Sequence, residues 1–214
     1  MKTKFLGKQN KNLKKSGKTL LDSIERIKED INIGVDIWNT YDFMYLDAKK
    51  IPHLLVLEII IPSKSNLIIE SKSMKIYLNH FYNRSFKTKR EILHIIKKDI
   101  ESRIKSNIKV KFINSFCNEP KTVNLNSLKS KSTPVKRVLK FNGFRSICPV
   151  TSQPDFANIY IYSDGSIETK WLTDYLISFR DHGGFHEQCI ELIFTKLKNK
   201  YKINHLEVCG RFQR

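Results

Sequence analysis

Residues 70–81 read ESKSMKIYLNHF, and residues 168–179 read ETKWLTDYLISF. Laid on one another 98 positions apart, the two stretches share Glu70 with Glu168, Lys72 with Lys170, Tyr77 with Tyr175, Leu78 with Leu176 and Phe81 with Phe179. Met74 falls opposite Leu172. Apolar residues recur at i, i+3, i+4 and i+7 in both, as Met74, Tyr77, Leu78 and Phe81, then Leu172, Tyr175, Leu176 and Phe179. That period marks one face of a helix. Ser71 and Thr169 stand where an N-cap is expected. Two amphipathic helices can share a period by chance. A shared Glu-x-Lys, Tyr-Leu and terminal Phe in one register makes an internal repeat the better reading.

The flanks repeat as well. Strands are expected before each helix, at Leu54 to Ile61 and at Ala157 to Tyr162. A longer helix follows each, lined by Ile92, Ile96, Ile100 and Ile104 in one copy and by Cys189, Ile190, Ile193, Phe194 and Leu197 in the other. Further strands are expected at Ile108 to Ile113 and His205 to Phe212. Two strand–helix–helix–strand units of this kind predict an α+β fold, antiparallel sheets with paired helices on one face. The polar stretch between them contains Pro120, Pro134 and many Lys and Ser, and reads as a linker with room for one strand. The expected boundaries are a basic N-terminal extension at 1–33, a first module at 34–114, a linker at 115–140 and a second module at 141–214.

Composition bounds the function classes. The chain has 214 residues, 40% hydrophobic and 28% charged, as expected of a globular chain. Its longest apolar run, Leu54 to Pro62, is interrupted by Glu58 and falls well short of the roughly 18 residues that span a bilayer. Met1 to Leu21 carries seven lysines and no acid, with no apolar core of a signal peptide, and reads as a solvated tail. The four cysteines, at 117, 148, 189 and 209, include no C-x-x-C pair, so a zinc knuckle or a thioredoxin-type site is not indicated. The net charge of +18 permits a polyanionic partner. Lys, Asn and Ile abound even where no pattern requires them, so the charge carries little weight.

Chemistry is sought where the copies diverge. The second reads SICPVTSQPD at 146–155 before its strand. Aligning Pro154 with Pro52 sets Asp155 opposite His53 and Cys148 opposite Leu46, so the first copy lacks both thiol and acid. A thiolate can attack an electrophilic carbon, and a nearby acid can move a proton. On spacing alone a buried structural thiol, the commoner fate of a lone cysteine, is the better reading of Cys148. The second copy also has FRDHGGFHE at 179–187. Gly183 and Gly184 permit a tight turn, and Glu187 either accepts N–H bonds from a guanine-like ring edge or complements the helix N-terminus. His182 and His186 have the spacing of a helical metal pair, but the glycines between them argue against zinc. In the first copy Lys72 and Lys75, with Ser71 and Ser73 at a helix start, could hold a phosphate or could form a solvated face.

Together these motifs resemble the long, two-module form of the NADPH-dependent 7-cyano-7-deazaguanine reductases, nitrile reductases of the tunnelling-fold superfamily that act in queuosine biosynthesis for tRNA. The resemblance runs from GVDIW at 34–38 to the C-terminus and includes IESKSMKIYL at 69–78, CPVTSQPD at 148–155 and SFRDHGGFHEQC at 178–189. It implies that Cys148 is the nucleophile that forms a thioimide and Asp155 the proton donor. It implies that Ile69, Glu70, Ser71, His186 and Glu187 bind the deazapurine substrate, and that Ser71 and Lys72 contact NADPH. It further implies a cytoplasmic homodimer needing no metal and binding no nucleic acid directly. Family members carry an Arg-Gly-Gly segment beyond the point matching VCGRFQR at 208–214, and a longer linker. The alternative is a relative without full turnover that binds a purine-like ligand or tRNA.

Overall fold

The computed structural model describes residues 17–26, 33–127, 132–133 and 137–213. The chain folds as two compact units that divide between Cys117 and Asn118. The first contains β1 (Ser23–Glu25), β2 (Val35–Leu46), β3 (Pro52–Pro62), β4 (Leu67–Ile69), α1 (Ser71–Asn79), α2 (Lys89–Ile104) and β5 (Lys109–Ile113). Its sheet runs β2-β3-β5, antiparallel throughout, and β1 pairs antiparallel with β4 beside it. The second contains β6 (Thr122–Asn124), β7 (Ser132–Thr133), β8 (Val138–Ile147), β9 (Pro154–Ser163), β10 (Ile167–Glu168), α3 (Thr169–Ile177), α4 (His186–Lys200) and β11 (Leu206–Gln213). Its sheet runs β11-β9-β8-β6, and β10 pairs with β7. The β6–β8 pair is parallel, against the all-antiparallel expectation; the other pairs of that sheet are antiparallel.

Short strands β1, β4, β6, β7 and β10 aside, each unit is strand–strand–helix–helix–strand, one long strand richer than the periodicity announces. The additional strands, β2 and β8, are hidden by a bulge in each. Register shifts between Thr40 and Phe43 and between Phe141 and Phe144. The core-facing row of β8 runs Leu139, Phe141, then Phe144, Ser146, so its parity switches mid-strand and no simple alternation survives. In β8 the bulge uses Gly143 at φ 77°, a conformation that favours glycine.

The helices pack as their period demands. Ile92, Ile96, Ile100 and Ile104 are at most 1% exposed, and full burial of such a side chain contributes about 1.5–3 kcal/mol. Met74, Tyr77, Leu78 and Phe81 join them over Leu57, Ile59 and Ile61 of β3. In the second unit Leu172, Leu176, Cys189, Ile193 and Leu197 pack over Ile159 and Ile161 of β9.

Three expectations change. The N-cap of α1 is Glu70, not Ser71; its carboxylate accepts from the Lys72 and Ser73 amides at 2.8 Å each. The residue before α3 is Glu168, not Thr169, and it makes no side-chain cap bond. A glutamate reaches back over one turn as well as a serine does, so the cap moves one residue upstream. Second, the extension at 1–33 does not read as a solvated tail over 17–26: Leu20 and Leu21 are buried in the first core and β1 pairs with β4. Lysine density concealed a Leu-Leu pair. Residues 1–16 lie outside those described. Third, the stretch taken as linker supplies β6 to the second unit's sheet, and β8 begins at Val138. Among the described residues no helix is long and apolar enough to cross a membrane.

Candidate active site

The end of β8 determines the site. After the bulge, Phe144 and Ser146 point toward the helices, and Cys148, the next residue of that row, is also buried. Ile147 pairs with Pro154 and Ser146 with Asp155. Asp155 begins the core-facing row of β9 that continues through Ala157, Ile159 and Ile161. Strand alternation thus turns both Cys148 and Asp155 to the helical face, as diagonal neighbours across one hairpin. The hairpin loop is closed by Cys148 N donating to Gln153 O at 2.9 Å and Ser152 N to Cys148 O at 3.0 Å, with Ser152 at φ 58°.

The strand end also grips the double-glycine segment. Ile147 N donates to His182 O at 2.9 Å, and Gly184 N donates to Ile147 O at 3.1 Å. This pins the start of α4 beside β8. His186, its first residue, places Nε2 3.1 Å from Asp155 Oδ2. Its ring lies flat on Phe212 of β11, centroids 3.9 Å apart. Glu187 follows in the first turn of α4, where a carboxylate suits the helix dipole. Cys189, one turn on, is fully buried, and burial pushes its thiol up to about 11, opposed by a hydrogen bond with Ser146 and reinforced by the charges of Glu187 and Asp155. A side chain at Gly184 would come within 3.1 Å of the His182 ring and 3.2 Å of the Cys189 sulfur, so the glycine lets both pack over its backbone.

The first unit repeats this frame with other residues. Leu46 pairs with Pro52, Leu46 N donates to Arg84 O, and Phe86 N donates to Leu46 O. Asp47 N donates to Ile51 O, as Cys148 N does to Gln153 O. Cys148 is therefore the counterpart of Asp47, not of Leu46; the second loop has one residue more, an insertion that counting back from the prolines cannot see. Asp155 keeps His53 as its counterpart, and Asp47 Oδ2 lies 3.2 Å from His53 Nε2. Phe86, buried, occupies the place of Gly184.

Of the residues singled out from the sequence, Cys148, Asp155, His186 and Glu187 gather at one end of the second unit's sheet. Ile69, Glu70, Ser71 and Lys72 form the β4–α1 junction of the first unit. There Ile69 is buried, and Ser73 is enclosed, its hydroxyl donating to Glu70 O at 2.7 Å and accepting from Asp22 N at 3.0 Å. A helix-start phosphate site would need the Lys72 and Ser73 amides, which Glu70 already occupies. Lys72 has no carboxylate partner among the described residues, whereas Lys75 faces Asp42 at 4.0 Å.

Comparison with known proteins agrees with this layout. Residues 15–112 match the family described as "Nitrile reductase, 7-cyano-7-deazaguanine-reductase N-term", and residues 154–214 match the one described as "QueF-like protein". The NADPH-dependent 7-cyano-7-deazaguanine reductase of Buchnera aphidicola is 35% identical over 204 residues, covering 85% of this chain and 78% of the relative. Those of Desulfotalea psychrophila and Burkholderia vietnamiensis are 34% and 32% identical, each alignment covering 85% of this chain and 74% of the relative. The chain belongs to the 7-cyano-7-deazaguanine reductase family. Its two halves are each α+β, with paired helices on a largely antiparallel sheet, and the fold class read from the repeat holds.

Phe212 was not singled out from the sequence. Its signal was the alternation Leu206, Val208, Gly210, Phe212, which places it on the helical face of β11.

Proposed function

We propose that this chain reduces the nitrile of 7-cyano-7-deazaguanine to give 7-aminomethyl-7-deazaguanine, using NADPH, in the biosynthesis of queuosine for tRNA. The observation that carries this reading is the pairing of a core-facing Cys148 with an Asp155 held by His186. A nitrile carbon is an electrophile, and the Cys148 sulfur adds to it as a thiolate. The S–C bond forms as one C–N π bond breaks, and the nitrogen takes the proton of Asp155, giving a thioimide. His186 Nε2, 3.1 Å from Asp155 Oδ2, stands beside the carboxyl that moves this proton. Burial of Cys148 and Asp155 excludes water that would otherwise hydrolyse the adduct. Glu187, at the start of α4, accepts from the ring N–H groups of the deazapurine, and His186, its neighbour on that helix, contacts the same ring.

NADPH, when bound, would supply one hydride per molecule, so two molecules carry the carbon from nitrile to amine, and the bond from that carbon to the Cys148 sulfur breaks on the way to return the thiol. Its phosphates fit Lys72 and Ser71: a cation with no carboxylate partner among the described residues, beside a hydroxyl, at a junction where Glu70 holds the Lys72 and Ser73 amides. Ile69 and Glu70, in the same junction, are further contacts for the deazapurine in this reading. The working form is a homodimer in the cytoplasm, with no direct contact to nucleic acid.

The test is to mix the purified chain with NADPH and the nitrile and to follow NADPH absorbance and product mass. Nitrile-dependent loss of two NADPH per amine formed is expected. No product at substrate and cofactor saturation, in protein that binds both, would overturn the reading.

A further inference from the structure

The His186 ring is restrained at two places. Nε2 faces Asp155 Oδ2 at 3.1 Å, and the ring plane lies 9° from that of Phe212, with centroids 3.9 Å apart. Aromatic pairs more often sit offset or edge-on, with centroids 4.5–7 Å apart. A face-to-face contact this close leaves no room for the imidazole to tilt toward the phenyl ring.

Phe212 is itself fixed. Its ring meets Phe144 edge-on, at 6.1 Å and 89°, and the fully buried Phe144 rests against Phe179 at 5.3 Å. Gly210 makes the arrangement possible. A Cβ there would lie 2.4 Å from Ile190 Cδ1 and 2.8 Å from Phe212 Cε2. Without it, α4 settles onto β11, and the first residue of α4 comes down on the last apolar residue of that row.

We infer that Phe212 is a positioning residue that sets the plane of the His186 ring and so aims Nε2 at Asp155. The inference rests on the proposed reading of Asp155 and His186 as part of the reducing site. A contact at one nitrogen fixes a point, not a plane, because the ring torsion of histidine is broad. The phenyl face supplies the missing restraint. It also tolerates both protonation states of the imidazole, since a cation over an aromatic face is attracted to it. A flat ring partner is therefore required at 212, not merely an apolar one.

The experiment compares Phe212→Leu with Phe212→Tyr in the full chain. The first keeps apolar character and loses the flat face; the second keeps the ring. One readout is the NMR spectrum of the His186 ring protons without substrate, assigned against His186→Gln. The other is kcat and KM for the nitrile. In Phe212→Leu the ring protons should lose their ring-current displacement. Its kcat should fall roughly ten- to a hundredfold with KM changed less than about threefold, as for a misaimed catalytic group. Phe212→Tyr should restore the displacement and most of kcat. If Phe212→Leu does not fold, Phe212→Met, which fills the volume flexibly, is read in the same way. An unchanged His186 spectrum in the leucine or methionine variant would overturn the proposal, as would a loss in folded Phe212→Tyr equal to that in Phe212→Leu. Wild-type protein without reductase activity, but with a displacement that vanishes in Phe212→Leu, would sink the reductase reading and leave the positioning role standing.

Discussion

Cys148 closes β8 where Asp47 closes β2. The two residues donate their amides to equivalent loop carbonyls, Gln153 O and Ile51 O, and follow the strand residues Ile147 and Leu46, which are bridged to the same downstream segment in each repeat. In the first repeat the acid serves its own loop: Asp47 Oδ1 accepts from Lys49 N and Ile51 N, and Oδ2 faces His53. These bonds hold the Asp47 carboxyl below its usual range, led by that from Ile51. In the second repeat a thiol stands there instead, leaving the loop without an internal acid and the strand end with a sulfur.

Cys148→Ala should therefore abolish the mass adduct that forms with the nitrile alone, in the absence of NADPH. Cys117→Ala and Cys189→Ala should keep it. Cys189 is the informative control, since it lies in the same unit beside Asp155 and Glu187. Burial pushes its thiol to about 11, so it is almost entirely neutral at pH 7 and a poor nucleophile. Intact mass spectrometry decides the matter, and an adduct persisting in Cys148→Ala would end the assignment.

Glu70 and Glu168 occupy one place in the repeat and have separate fates. Glu70 is buried with both oxygens on backbone amides, while Glu168 is exposed and caps nothing through its side chain. Glu70→Ala should cost about 0.5–2 kcal/mol of stability, the usual price of a lost N-cap. Glu168→Ala should stay within about 0.5 kcal/mol of wild type. Urea unfolding measures both, and equal losses would show that the capping difference has no energetic meaning.

The repeat made the helices legible because a 3.6-residue period survives any change at the helix ends. Ile92 to Ile104 could be placed from spacing alone, and so could Leu172 and Leu176. The strands beside the site were less legible. A bulge reverses the parity of β2 and β8, so the alternation that would have announced Phe144, Ser146 and Cys148 as one row is broken within the strand. The counterpart of Cys148 was misplaced by one residue for a related reason: hydrogen bonds, not prolines, align the two loops. The His186–Phe212 stack joins a helix start to a strand separated by a full helix and turn. Nothing in local spacing encodes such a contact.

Glu187→Gln should weaken binding of the deazapurine by about 1–3 kcal/mol, because the amide turns a donor toward ring N–H groups that need an acceptor. The same change at a purely structural first-turn carboxylate would lower helix stability and leave affinity alone. Calorimetry on Cys148→Ala, which is expected to bind without reacting, separates the two. Unchanged affinity with lowered thermal stability would reduce Glu187 to a helix-dipole partner.

Lys72 is where NADPH affinity should concentrate in the first unit. Glu70 already occupies the Lys72 and Ser73 amides, so these two donors of the helix start are not open to a phosphate. What remains is charge on side chains. Lys72 has no ion-pair partner among the described residues, while Lys75 is highly exposed and shares its charge with Asp42. A charged hydrogen bond contributes about 1.5–3 kcal/mol, so Lys72→Ala should weaken NADPH binding by roughly one to two orders of magnitude. Lys75→Ala should weaken it less than about threefold, as befits an exposed and screened charge. Adduct formation by Cys148, which needs no cofactor, should be untouched in both variants. Titrating NADPH fluorescence measures the affinities, and repeating the titration at raised salt should narrow the gap between wild type and Lys72→Ala. Equal affinities for wild type and Lys72→Ala at low salt would place the cofactor elsewhere. A loss of the adduct in Lys72→Ala would instead mean that the lysine serves the nitrile rather than the phosphate.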